Sequence, residues 1–265
     1  MATALESNKT KIARRVIEVF EFFAAGNCRA TVMDIVRSYG RPQSSTSELL
    51  GSLVEMGLLY KDPQTRSYAP TPRLAALGLA AQPEGIGNLR LFDYMDQLAR
   101  TSRCSVGLFG IVGTHAQVFR LAHGADMSAQ AIGSGKGALL NAGAIGLLLL
   151  SSQGLAQASK ILWRLNAESL ESQRCDLNQM KEQVARMADC GHASGASGFA
   201  PDTSATALLL PEGVGERRLA IGAIYKTGSA VDPDALVASM RHGVGQALGG
   251  EADQPAGFTR NLVAV

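Results

Sequence analysis

The chain has 265 residues, 46% hydrophobic and 18% charged, with a formal net charge of +2, which suits a globular protein of one large or two modest domains. Its four cysteines show neither C-x-x-C pairing nor metal-ligand spacing, and the reading is of reduced thiols with no metal site and no cofactor. Residues 1–10 are polar and carry Glu6, unlike a secretory signal, and the longest apolar run, 138–150, is broken by Asn141 and glycines; it falls short of the about 20 residues a membrane span needs, so a cytoplasmic protein without membrane contact is expected.

Residues 1–80 hold ten Lys/Arg against seven Asp/Glu, so the small excess of positive charge lies at the N-terminal end. It is much weaker than a basic tail and does not by itself establish nucleic-acid binding. Ile12, Val16, Val19, Phe20 and Phe23 recur at helical spacing and predict an amphipathic first helix. Lys9, Lys11, Arg14 and Arg15 gather near its start, either as a solvated flank or as contacts to phosphates or a dimer seam.

Residues 31–68 organise the rest. Val32, Ile35 and Val36 form a short helical face that stops at Gly40. Pro42 opens the next helix, where its missing N–H costs nothing. Leu49, Leu50, Leu53 and Val54 make that helix's apolar face and leave Gln43, Ser44, Ser45, Thr46 and Ser47 on an uncovered first turn. After Gly57, Leu58-Leu59-Tyr60-Lys61 and Arg66-Ser67-Tyr68 flank Asp62-Pro63-Gln64-Thr65, which reads as a β-hairpin. Two helices, a short turn and a hairpin describe a winged helix-turn-helix whose second helix enters the major groove by its N-terminal residues.

Thr71-Pro72 ends the wing, 73–80 reads as a short helical connector, and a further helix is expected over 86–103. The domain boundary falls in 78–88, dividing the chain into 1–80 and 81–265. Beyond it, 105–112 and 117–123 form a second hairpin around Gly113-Thr114-His115, and 129–132 is read as another strand. Helices are expected over 138–151, 155–165 and 177–190, strands over 206–210 and 219–225, a closing helix over 234–248, and a loose tail from Gly249. Strands, helices, strands and a last helix give an α+β layer architecture.

Residues 11–78 resemble the DNA-binding half of the IclR-type bacterial transcriptional regulators. The resemblance is carried by the Pro-x-Ser-rich helix with Leu49-Leu50, by Leu53-Val54-Glu55-Met56-Gly57 and by Asp62-Pro63-Gln64-Thr65-Arg66-Ser67-Tyr68. The family commonly has arginine before the Leu-Leu pair, where this chain has Glu48. A carboxylate there accepts from a cytosine amino group, pairs with a neighbouring cation, or weakens binding. More loosely, the second half resembles the family's GAF-like effector-binding domain, through Gly135, Ala144-x-Gly146 and Gly191. The resemblance covers residues 11–248. It implies a cytoplasmic, homodimeric or homotetrameric regulator that binds a double-stranded operator and a small-molecule effector. A second reading keeps the effector domain as a small-molecule-binding interaction protein and treats the DNA head as degenerate.

For DNA, Gln43 can bridge an adenine edge, and Ser44, Ser45, Thr46 and Ser47 can reach bases or phosphates, or cap the helix. Arg37 and Arg41 suit phosphate anchoring at the turn, and Lys61 and Arg66 suit a groove or backbone contact from the wing. For the effector, Asn141, Asp202, Ser204 and Thr206 are the polar candidates, with Phe109 and Phe119 as walls. Alternatively they are core, capping or turn residues. No arginine clamp stands out, so a carboxylate effector is not indicated.

Catalysis finds no support. Gly133-Ser134-Gly135-Lys136-Gly137 fails the phosphate-loop spacing, having Gln130 and Gly137 at the required glycine and hydroxyl positions. Ser197 lacks the following glycine of a nucleophile elbow, because Phe199 stands there. Cys190 and His192 lie too close along the chain to define a reactive pair, and His115, His123, His192 and His242 show no metal spacing.

Overall fold

A computed structural model describes residues 8–82, 89–126, 129–169, 174–214 and 218–249. The chain divides into two compact units, Met1–Gln82 and Pro83–Val265.

The first unit contains α1 (Asn8–Ala24), α2 (Val32–Tyr39), α3 (Gln43–Glu55), β1 (Leu59–Lys61), β2 (Tyr68–Pro70) and α4 (Pro72–Ala80). Thr31 and Asp34 close a capping box on α2: the Asp34 carboxylate accepts the Thr31 N–H at 2.8 Å and the Thr31 hydroxyl accepts the Asp34 N–H at 3.4 Å. Such a cap contributes about 1 kcal/mol. At the other end Gly40 takes φ 61 and donates its N–H to Val36 O at 2.8 Å, a left-handed stop that a side chain would strain. Helical spacing then gathers Val19, Phe23, Ile35, Leu50 and Leu53 into one core closed by Leu59 and Tyr68 of the hairpin.

Lys61 faces Tyr68 across the two-stranded ladder, and Ala30 adds an antiparallel bridge to Tyr68. The turn is longer than the sequence implies. Arg66 is left-handed at φ 54, Thr65 and Ser67 hydroxyls meet at 2.7 Å, and Asp62 N–H reaches Ser67 O at 2.8 Å. These bonds hold Arg66 and Ser67 in the wing tip, so the second strand starts at Tyr68.

The second unit runs α5 (Arg90–Ser102), β3 (Ser105–Val112), β4 (His115–Ala122), β5 (Gly137–Leu139), α6 (Ala144–Ser151), α7 (Leu155–Glu168), α8 (Leu177–Cys190), β6 (His192–Ala196), β7 (Thr203–Leu209), β8 (Ala220–Lys226) and α9 (Pro233–Gly249). The strands form one antiparallel sheet in the order β5-β4-β3-β8-β7-β6. Strand alternation splits its side chains between two cores. Ala220 and Ile224 of β8 pack with α6, α7 and α8, while Ile221, Ala223 and Tyr225 pack with α5 and α9. All eight residues of α6 are buried, as expected of a helix apolar on every side.

Three expectations change here. Residues 129–132 form a turn closed by the Ile132 N–H on Ala129 O at 2.9 Å, with both side chains buried, rather than a strand. Residues 137–139 pair with β4 as β5, so the helix expected from 138 begins only at Ala144. The break is set by Gly143, where a Cβ would lie 2.5 Å from Ala196 O; only glycine lets the chain pass there. The edge strand β6, His-Ala-Ser-Gly-Ala, was not anticipated because it lacks β-branched and aromatic residues. The start of the helix expected at residue 86, and the tail after Gly249, lie outside the described residues; α5 is described from Arg90. Among the described residues no helix is long and apolar enough to cross a membrane.

Candidate functional site

On α3, Gln43, Ser44 and Ser47 are exposed on the first turn and a half, and Glu48 is exposed in the middle of the outer face. Thr46 is not: it is 2% exposed, on the same face as Leu50 and Leu53, and its hydroxyl donates to Pro42 O at 2.8 Å. Helical periodicity places residue 46 one turn before Leu50, so it is a core-facing residue bonded back to the preceding turn and not a group that reaches DNA. Ser45 is half-buried. Its hydroxyl accepts from Arg15 Nη2 of α1 at 3.0 Å and donates to Pro42 O at 3.3 Å.

The cations divide in the same way. Arg37 is well exposed on α2, with the Asp34 carboxylate 4.0 Å away. Arg41 grips both carboxylate oxygens of Glu18, with its Nε at 3.1 Å, and so braces α1 against the turn. Lys61 and Arg66 are exposed on the wing, and Lys61 Nζ stands 5.7 Å from the centre of the Tyr68 ring. Sequence reasoning could not foresee that Arg15 meets Ser45, thirty positions away, because that contact depends on how α1 crosses α3.

Asp62 shapes the wing tip. Its carboxylate accepts the N–H groups of Gln64 at 2.9 Å and Thr65 at 3.2 Å, and Arg29 Nη1 at 3.0 Å. These hydrogen bonds, the Gln64 N–H first, hold its carboxyl below the ordinary value of 3.8. The ordering is therefore present above the ordinary carboxylate range and is lost as pH falls through the lowered value. Hydrogen exchange at the Gln64 and Thr65 amides should show protection at pH 6 that disappears in acid, and Asp62→Ala should abolish it at both. Protection unchanged in Asp62→Ala would mean that other groups order the tip.

In the second unit the effector candidates are scattered. Phe109 is fully buried, its ring 5.3 Å from that of Phe199 inside the core shared with α6. Phe119 occupies a bulge in β4, is 45% exposed, and lies over Gly110, where a Cβ would come within 2.4 Å of its ring. Thr206 is fully buried and bonds Tyr225 Oη at 2.9 Å and Ser194 Oγ at 3.2 Å. Ser204 bonds Thr227 Oγ1 at 3.0 Å, and exposed Asp202, left-handed at φ 54, accepts the Thr227 N–H on its backbone oxygen at 2.9 Å. Asn141 is half-buried in the turn before α6. None of these six lines the cleft beside β6.

That cleft, about 640 Å³, follows the free edge of β6 and is bordered by Ala144 and Leu147 of α6, Gln183 and Arg186 of α8, His192 of β6 and Asp234 of α9. It escaped the sequence because β6 itself did. It also supplies an arginine where none was anticipated. Arg186 is that arginine; Arg241 donates to Cys190 O at 3.0 Å with the same nitrogen 3.3 Å from His192 Nδ1. The Cys190 thiol points to His192 O at 3.1 Å, and among the described residues no group of three His, Cys, Asp or Glu is placed to hold a metal.

Residues 13–63 match the family model of the IclR helix-turn-helix domain. No curated protein matches the chain. Solved structures do, and at low identity they speak for the fold. An IclR transcriptional regulator from Alicyclobacillus acidocaldarius is 16% identical, with a TM-score of 0.60 over 92% of this chain and 98% of that one. The IclR of Thermotoga maritima is 11% identical, with a TM-score of 0.61 over 90% of this chain and 98% of that one. An IclR homologue from Microbacterium hydrocarbonoxydans, complexed with 4-hydroxybenzoate, is 16% identical, with a TM-score of 0.60 over 90% and 98% respectively. The chain thus carries an IclR helix-turn-helix domain at its N-terminal end and, across both units, the fold of the IclR-type transcriptional regulators.

Proposed function

We propose that this protein is a ligand-responsive transcriptional regulator that binds a near-palindromic operator as a homodimer, or as a tetramer built from dimers, in the cytoplasm. The observation that carries the reading is the exposed first turn of α3, with Gln43, Ser44 and Ser47, on the same unit as a wing bearing Lys61 and Arg66. The helix turn reads base edges and the wing cations neutralise phosphates. The effector is a small molecule taken up by the second unit. The β6-edge cleft has room for one and offers Arg186, Gln183 and His192 as polar anchors. With Arg186 present, a small acid becomes a sensible first ligand, and the relative complexed with 4-hydroxybenzoate makes that compound the first to try. Effector and DNA are coupled reciprocally: an effector that weakens operator binding is itself bound more weakly in the presence of operator.

A second reading, a small-molecule-binding interaction protein with a degenerate DNA head, is favoured by one observation. Glu48 is exposed on the outer face of α3 and makes no ion pair among the described residues, so a carboxylate faces the phosphates. Glu48→Arg separates the two. A working head should gain at most about tenfold in affinity, from removal of local repulsion. A gain of several hundredfold with unchanged sequence preference would mean that the natural head is too weak to be the main output.

A further inference from the structure

Beside α3 lies a second feature that the helix and wing do not use. A cleft of about 420 Å³ opens between the start of α1 and the turn leading into α3, and it is bordered by Lys11, Arg14, Arg15 and Arg41 together with Ser45. A smaller hollow adjoins it along α3, sharing Arg15 and Ser45 and reaching Glu48 and Ser52. Four cations therefore border one concavity on the flank of the recognition helix. Arg41 is itself paired with the Glu18 carboxylate. Arg15 stands at the junction of the two hollows. Its Nη2 holds Ser45 on the first turn of α3 at 3.0 Å, and one guanidinium nitrogen in that bond leaves the remaining N–H groups of the fork for an oxygen ligand.

We propose that this cleft is a phosphate site for the DNA backbone: Lys11 and Arg15 take a phosphate flanking the bases that α3 reads. This rests on the regulator reading above and deepens it. The chemistry is that of a phosphodiester, because the cleft gathers cations on a ledge that runs beside the helix N-terminus, whose backbone N–H groups also favour phosphate oxygen. The arrangement also gives Glu48 a physical setting. On α3 itself residue 48 is a glutamate, and positive charge comes from α1, one helix away. Arg15 then has two duties, fixing the first turn of α3 through Ser45 and neutralising a phosphate on the side of the helix where Glu48 would repel it.

The two duties are separable. A phosphate contact shows in the salt dependence of binding, with a slope of about 0.9 per contact, whereas a purely structural hydrogen bond does not. The experiment is fluorescence anisotropy of full-length protein on a labelled 30-base-pair duplex of random sequence, between about 50 and 200 mM salt, for wild type, Arg15→Ala, Arg15→Lys, Lys11→Ala and Ser45→Ala. Expected are slopes lower by about one for Arg15→Ala and measurably lower for Lys11→Ala, with about tenfold weaker binding for the former. Arg15→Lys and Ser45→Ala should keep the wild-type slope, since one keeps the charge and the other removes only the hydrogen bond. Lys11 is exposed and carries no part of the fold, so its variant tests the site even where Arg15→Ala is poorly folded. Wild-type slopes in both Lys11→Ala and Arg15→Ala would overturn the phosphate site while leaving the DNA reading intact. A changed oligomeric state with an unchanged slope would also overturn it, making the cleft a seam between copies. Wild-type protein that fails to bind DNA with any salt dependence would overturn both.

Discussion

Replacing Lys61 and Arg66 together by alanine is expected to weaken operator binding by about 100-fold near 0.15 M salt and to lower the salt slope by roughly two. Both side chains are exposed, and Lys61 Nζ stands 5.7 Å from the centre of the Tyr68 ring, so the hairpin should survive. Arg66 needs one precaution. It occupies a left-handed conformation at φ 54, and alanine there costs roughly as much as it does at any such position. The companion variant Lys61→Ala with Arg66→Gly removes the same charges while suiting that backbone. Equal losses in the two doubles assign the effect to charge. Binding like wild type in both would show that the wing does not reach the DNA backbone.

The largest effect on stability is expected at Gly146, in the middle of the fully buried helix α6. A Cβ there would lie 2.3 Å from the carbonyl oxygen of Leu140 and 2.8 Å from its carbon, and Leu140 is itself fully buried. The clash is with backbone that has no direction in which to move, so Gly146→Ala should cost about 3 kcal/mol and lower the unfolding midpoint of the second unit by roughly 5–10 °C. Gly245 in α9 is the control, because its Cβ would meet nothing within 4 Å. Gly245→Ala should stabilise by about 0.5–1 kcal/mol through helix propensity alone. A calorimetric scan of both variants checks the pair. A Gly146→Ala midpoint equal to wild type would mean that α6 does not pack against residue 140 as described.

What the sequence made readable follows from how local each signal is. The head is written in local terms. Thr31 and Asp34 cap α2, Gly40 stops it, Pro42 opens α3, and Leu50 and Leu53 mark its inner face. Each can be recognised within a few residues. Thr46 shows the limit even here, since a threonine among serines looks exposed until helical phase places it one turn before Leu50. In the second unit the helices α7, α8 and α9 are amphipathic or capped and could be located closely. The strands at the two edges of the sheet could not. β5 is three residues long and β6 is made of small residues, so both depend on partners far along the chain, β4 and β7. None of the six effector candidates lines the cleft that β6 borders. Phe109 and Thr206 have the right chemistry for a pocket, yet strand alternation turns the first into the packed core beside α6 and the second toward Tyr225. Arg186 and His192 reach the cleft only because α8 and β6 meet there. Arg15 meeting Ser45 is a third case, a contact between helices that no local spacing encodes.

The central claim is sequence-specific DNA binding by the exposed turn of α3, and it is tested most directly by a gel-shift titration. Purified full-length protein would be titrated across a salt series onto the DNA upstream of its own gene, against a shuffled duplex of equal length. A specific shift at least 1,000-fold tighter than that on the shuffled duplex is expected, with a steep fall in affinity as salt rises. Equal, weak binding to both duplexes at every salt concentration would contradict it, and would leave the second unit as the working half of the protein.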